Sequence, residues 1–119
     1  METASVLMMN IPDEVMDKAY TVFEEWGPNR AKDRAERLKE EFPALTDAEI
    51  QFIIKEMKAV SATVWRIAEK GGEAKMMKSK IVKMLQNEHP FLKDKGLRHA
   101  VFLVNYYAWH DGYDKNPVH

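Results

Sequence analysis

Cysteine is missing altogether, which removes disulfides, thiolate catalysis and cysteine-ligated zinc or iron–sulfur sites in one step. Long apolar runs are missing too: no window approaches the roughly 18 residues of a membrane span. The first residues carry Glu2 and a short apolar stretch at 6–9, without the basic and long hydrophobic regions of a signal peptide. A soluble, cytoplasmic protein without membrane association is the expectation. Charge of one sign is also scarce. Lysine and arginine (18) nearly balance aspartate and glutamate (19), a net charge of −1, so overall electrostatics selects no partner. Sustained strand alternation, internal repeats and low-complexity runs do not occur. Neither does a phosphate-binding loop, a Gly-x-Ser-x-Gly elbow or a glycine-rich dinucleotide turn.

What is present is helical periodicity. A chain of 119 residues suffices for one domain that buries roughly two-thirds of its unfolded surface. Residues 1–9 have no helical period and read as a disordered arm or a short strand, with Met8 or Met9 as alternative natural starts. The first helix is expected over about 12–26. Pro12 suits its first turn, Asp13 and Glu14 suit its positive end, and Val15, Ala19, Val22 and Trp26 form a stripe broadened by Met16 and Phe23. Gly27-Pro28 stops it. A second helix over 29–42 has a narrow stripe of Ala31, Ala35, Leu38 and Phe42. The Asp33–Arg37 and Arg37–Glu41 spacings then predict a surface position.

The third helix has the strongest start signal, a Thr46–Glu49 capping box with Leu45 and Ile50 at staple positions. It is expected to reach about residue 70. Ile50, Ile54, Met57, Ser61, Val64 and Ala68 recur as a bundle seam, flanked by Ile53, Val60 and Ile67 on one side and Trp65 on the other. After Gly71-Gly72 a fourth helix is expected over 73–87, with Ala74, Met77, Ile81 and Met84 inward and Leu85 beside them. Phe91 and Leu92 then tuck under the bundle. Asp94 is a candidate N-cap for the last helix, Gly112 its C-cap with Tyr113 folding back, and residues 114–119 a polar tail. The expected fold is an all-α, single-domain bundle of four to five helices with a buried C-terminal helix.

That last helix organises the chain. Between Ala100 and Trp109 only Asn105 is plainly polar, and a helix apolar nearly all round is usually enclosed. Leu97, Val101, Val104 and Ala108 make a small aliphatic stripe; Arg98, Phe102, Asn105 and Trp109 make a second. The third holds His99, Leu103, Tyr106, His110 and Tyr113. If a ligand site exists, Asn105, Tyr106, Trp109 and His110 should line it, with aromatic walls and an amide, phenol and imidazole to fix polar groups. The alternative is that the histidines mark wet helix ends and the aromatic rings simply pack.

No catalytic residue, cofactor or metal site emerges from spacing. His99 and His110 lie roughly 16 Å apart along one helix and cannot share an ion. No histidine has a glutamate three residues before it, as di-iron bundles require. Arg66, Lys70, Lys75, Lys78, Lys80 and Lys83 against Glu69 and Glu73 leave a local net charge of +4, which raises nucleic-acid binding as an alternative. Those lysines scatter round a helix, as on a solvated exterior. The favoured expectation is a non-enzymatic interaction or regulatory module with a protein partner or with itself. Eight methionines and three tryptophans suit adaptable apolar surfaces, and a homodimer is consistent with the wide seam of the third helix.

Overall fold

The structure, a computed structural model, describes residues 11–24 and 33–110. The expectations for the 1–9 arm, Trp26, Gly27-Pro28, Ala31, Gly112, Tyr113 and the 114–119 tail lie outside them. The described residues form α1 (Asp13–Phe23), α2 (Arg34–Glu41), α3 (Asp47–Ala68), a 3-10 turn (Gly72–Ala74), α4 (Lys78–Glu88) and α5 (Lys95–His110), with no strand among them. This is the all-α bundle read from the periodicity. None of these helices is long and apolar enough to cross a membrane.

The long helix α3 starts where the sequence places it. Thr46 Oγ1 accepts from Glu49 N at 3.1 Å, and Glu49 Oε1 accepts from Thr46 N at 2.8 Å. Its inner side is turned towards the flank of the expected seam: Ile53, Met57, Val60, Val64 and Ile67 are fully enclosed, whereas Ile54 and Ser61 are half-buried. Each such aliphatic side chain contributes roughly 1.5–3 kcal/mol through burial. In α1 the buried arc is Met16, Asp17, Ala19, Tyr20 and Phe23, one step round from the Val15–Ala19–Val22 stripe. A carboxylate on that arc sets the helix's rotation.

Asp17 is 5% exposed and caps α5 from another helix. Its Oδ1 accepts from the backbone N–H groups of Lys93 (2.8 Å), Asp94 (3.2 Å) and Leu97 (3.2 Å), and its Oδ2 from Gly96 N (3.0 Å). The N–H groups of Asp94, Gly96 and Leu97, which the helix start leaves without partners, and that of Lys93 leading into it are thereby met by one charge at the positive end of the macrodipole. Asp94 occupies the N-cap position but turns its carboxylate to Arg98 at 3.3 Å, so the expected local cap is replaced by a tertiary one.

The C-terminal end of α1 is closed in the same way. Arg34 Nε and Arg37 Nη2 both donate to the Phe23 carbonyl oxygen, at 3.2 and 3.4 Å, and Arg34 lies over the Phe23 ring at 4.2 Å. Arg37 is buried, not on the surface as its charge pattern suggested. A carbonyl at the negative end of a helix attracts a guanidinium more strongly than an exposed i,i+4 carboxylate does.

The fourth helix begins later than expected. Gly71 and Gly72 both take positive φ (100° and 58°), and the chain makes one 3-10 turn before α4 starts at Lys78. Ala74 and Met77, expected to face inward, are exposed, Met77 to 75%; Ile81 and Leu85 are buried as expected. The turn is fastened by Asn105, whose Oδ1 accepts from Glu73 N at 2.9 Å. Phe91 and Leu92 do tuck under the bundle, and Gln86 Nε2 holds the Leu92 carbonyl at 2.9 Å.

Candidate functional site

Helix α5 is the hub, packed against α1, α3, α4 and the 3-10 turn. Gly96, Ala100, Val101, Leu103, Val104 and Ala108 take the inner arc. The helix is nonetheless apolar beyond what its neighbours cover. Phe102 is 60% exposed and Trp109 54%, with Tyr106 and His110 also on the surface. These side chains share about 100° of arc by helical rotation. Three helices enclose one side of α5, and nothing among the described residues covers the other.

The outer rings form a ladder. His99 stacks on Phe102 (centroids 6.3 Å, planes at 23°), Phe102 on Tyr106 (6.1 Å, 20°), and Tyr106 on His110 (5.3 Å, 26°). Trp109 meets His110 edge-on at 6.2 Å. The i,i+3 and i,i+4 spacings bring such rings into register, and near-parallel offset stacking is a favoured geometry of their quadrupoles. On the α3 side Trp65 lies flat against Tyr107 at 4.4 Å and 6°.

Of the four residues expected to line a ligand site, Tyr106, Trp109 and His110 come together on this outer face. Asn105 points elsewhere: besides holding Glu73, its Nδ2 donates to the Val101 carbonyl at 3.2 Å. The three aromatic groups sit on a convex helix surface. Two shallow clefts on the described surface, about 510 Å³ between Pro12 and Lys95 and about 610 Å³ beside Lys80 and Lys83, do not touch them. Phe102 is the member sequence reasoning left out. It shares the stripe of Arg98, Asn105 and Trp109, from which only Asn105 and Trp109 were expected to line a site.

Beneath the buried end of the ladder lies a polar cluster the sequence did not reveal. Tyr20 is fully buried and meets the His99 ring edge-on at 5.7 Å. Ser61 Oγ donates to Glu24 Oε2 at 2.8 Å. The Tyr20 hydroxyl lies beside Ser61 without alignment for a hydrogen bond, and His99 Nε2 is likewise buried without one. Burial pushes the Tyr20 phenol well above the ordinary tyrosine range, Ser61 opposes this, and Glu24 and Tyr107 add to it. Burial lowers the His99 pKa against the pull of Glu24. Ser61 gives its proton to a carboxylate and not to an imidazole, so the arrangement does not activate a nucleophile in the Ser–His manner. The signal available in the sequence was the i,i+4 pair Tyr20 and Glu24 on one helix face.

Another histidine, His89, is buried and joins α3 to α4. His89 Nε2 lies 2.8 Å from Thr63 Oγ1, which is also 3.2 Å from the Ala59 carbonyl and 3.3 Å from Glu88 Oε1. The hydroxyl has one hydrogen; when that goes to the Ala59 carbonyl or the Glu88 carboxylate, a neutral His89 donates to Oγ1 through Nε2. Burial lowers its pKa; Glu88 and Glu56 oppose that, and Arg66 reinforces it.

The basic residues 66–83 are spread over three elements, with Lys78 at the start of α4. Arg66 is paired with Glu88, Lys70 and Lys75 flank the 3-10 turn, and only Lys80 and Lys83 share a groove, with Ser79, Val82 and Gln86. Among the described residues no three His, Asp or Glu side chains gather as metal ligands would. No known protein family, curated protein or solved structure matches the chain, so the geometry alone carries the functional reading.

Proposed function

We propose that this protein is a non-enzymatic interaction module that engages a protein partner through the outer aromatic face of α5. The observation that carries the reading is the exposure of Phe102 and Trp109 at 60% and 54% on one continuous ring ladder. Scattered exposed apolar residues are ordinary on a monomer, but a contiguous aromatic strip is what interface centres are made of. Tryptophan and tyrosine bring large contact area at low conformational cost, and such residues dominate binding energy where they are desolvated.

The face is tested by comparing two baits in cells of the source organism. Phe102→Ser with Trp109→Ser is expected to keep the wild-type circular dichroism spectrum, since both rings project outward. It is expected to lose the proteins that wild type retains, by tenfold or more. Equal recovery by both baits would remove the reading.

A further inference from the structure

We infer that the occupant of this face is a second copy of the chain, docked antiparallel through α5. The inference rests on the reading of α5 just given and names its partner. Along the ladder the order His99, Phe102, Tyr106, His110 runs imidazole, six-membered ring, six-membered ring, imidazole from either end. The centroid spacings of 6.3, 6.1 and 5.3 Å are close to uniform. A two-fold axis between Phe102 and Tyr106 therefore sets Phe102 of one copy on Tyr106 of the other, and His99 on His110, each contact occurring twice. This is the self-complementarity that an isologous interface requires.

The same operation gives Arg98 a partner. Arg98 and Trp109 lie about 20° apart round the helix and almost equally far from the axis, on the same flank. Across the interface each Arg98 then meets Trp109 of the other copy. Arg98 is largely exposed and held by Asp94 at 3.3 Å, so its guanidinium can cover an indole face while keeping that carboxylate. Of the other charged side chains of α5 only Lys95 falls on this arc, two turns before Phe102 and so at the rim of the contact, and a net charge of −1 per chain opposes association little. The exposed parts of Phe102, Tyr106 and Trp109 amount to roughly 300 Å² per copy. That suits the dry centre of an interface whose usual extent is about 800 Å² per partner, the remainder being polar rim.

Sedimentation velocity from about 1 to about 100 μM is expected to move wild type from a 13.8 kDa monomer towards twice that mass. Phe102→Glu, with helicity checked by circular dichroism, is expected to stay monomeric throughout. Arg98→Glu, outside the ring centre, is expected to weaken dimerisation about tenfold through two lost cation–ring contacts. Orientation follows from cross-linking, because the chain has no cysteine of its own. Phe102→Cys mixed with Tyr106→Cys is expected to form the mixed disulfide faster than either variant pairs with itself. A wild type that remains monomeric at about 100 μM, a dimer untouched by Phe102→Glu, or faster self-pairing of the single cysteines would each overturn the inference. The first of these leaves the bait comparison intact, so loss of the second copy and loss of the face are told apart.

Discussion

Asp17 and Gly96 stand in a contact that leaves no room for a side chain. Gly96 N donates to Asp17 Oδ2 at 3.0 Å, and a β-carbon on Gly96 would sit 2.1 Å from the Asp17 carbonyl oxygen. Two helices distant in sequence meet backbone to backbone there. The close approach lets one carboxylate reach four N–H groups of the α5 start. The aromatic face of α5 is aimed by this junction at one end and by Asn105 at the other.

Asp17→Ala should destabilise the protein by about 3 kcal/mol, because it removes a charged acceptor and leaves buried N–H groups without a partner. Thermal unfolding followed by circular dichroism should show a midpoint lower by roughly 10–15 °C. Asp17→Asn keeps one oxygen but turns an N–H donor towards other donors, so its loss should fall between wild type and alanine. A shift of less than a few degrees in Asp17→Ala would mean the cap is not holding α5.

Gly96→Ala sets two effects against each other. Alanine is the better helix former by about 1 kcal/mol, yet its methyl group would overlap a backbone oxygen that can move only if α1 moves. The expected net result is a loss of about 2 kcal/mol, read from the urea midpoint. A more stable variant would show that propensity outweighs the close approach.

His89 and His99 both have pKa values lowered in the folded state, chiefly by burial. The unfolded chain then binds more protons at mildly acidic pH, so stability rises with pH in that range. The contribution is complete above the unfolded histidine value of about 6.5 and is lost as pH falls below it. Urea midpoints should therefore decline between about pH 7.5 and pH 5. Replacing both residues, His89→Gln to keep a hydrogen-bonding group by Thr63 and His99→Phe to keep the ring stack, should flatten that decline. An unchanged slope in the double variant would place the titrating groups elsewhere.

Helix identities, the Thr46–Glu49 box and the central position of the last helix were legible in the sequence because each depends on neighbours within one or two turns. Apolar residues repeating every three or four positions bury one stripe whatever surrounds them. Three features had to wait for the tertiary structure. The rotation of α1 depends on Asp17 meeting an α5 start some 80 residues away, and an aspartate beside Lys18 on an amphipathic helix does not announce its partner. Arg37 reads as a surface charge until α1 presents the Phe23 carbonyl to it. The outer face of α5 was decided in the same way. Periodicity shows that Phe102 and Trp109 are apolar, but whether a ring is covered depends on how many helices fit round one cylinder. Here α1, α3 and α4 fill one side of α5, and the rings on the other face outward.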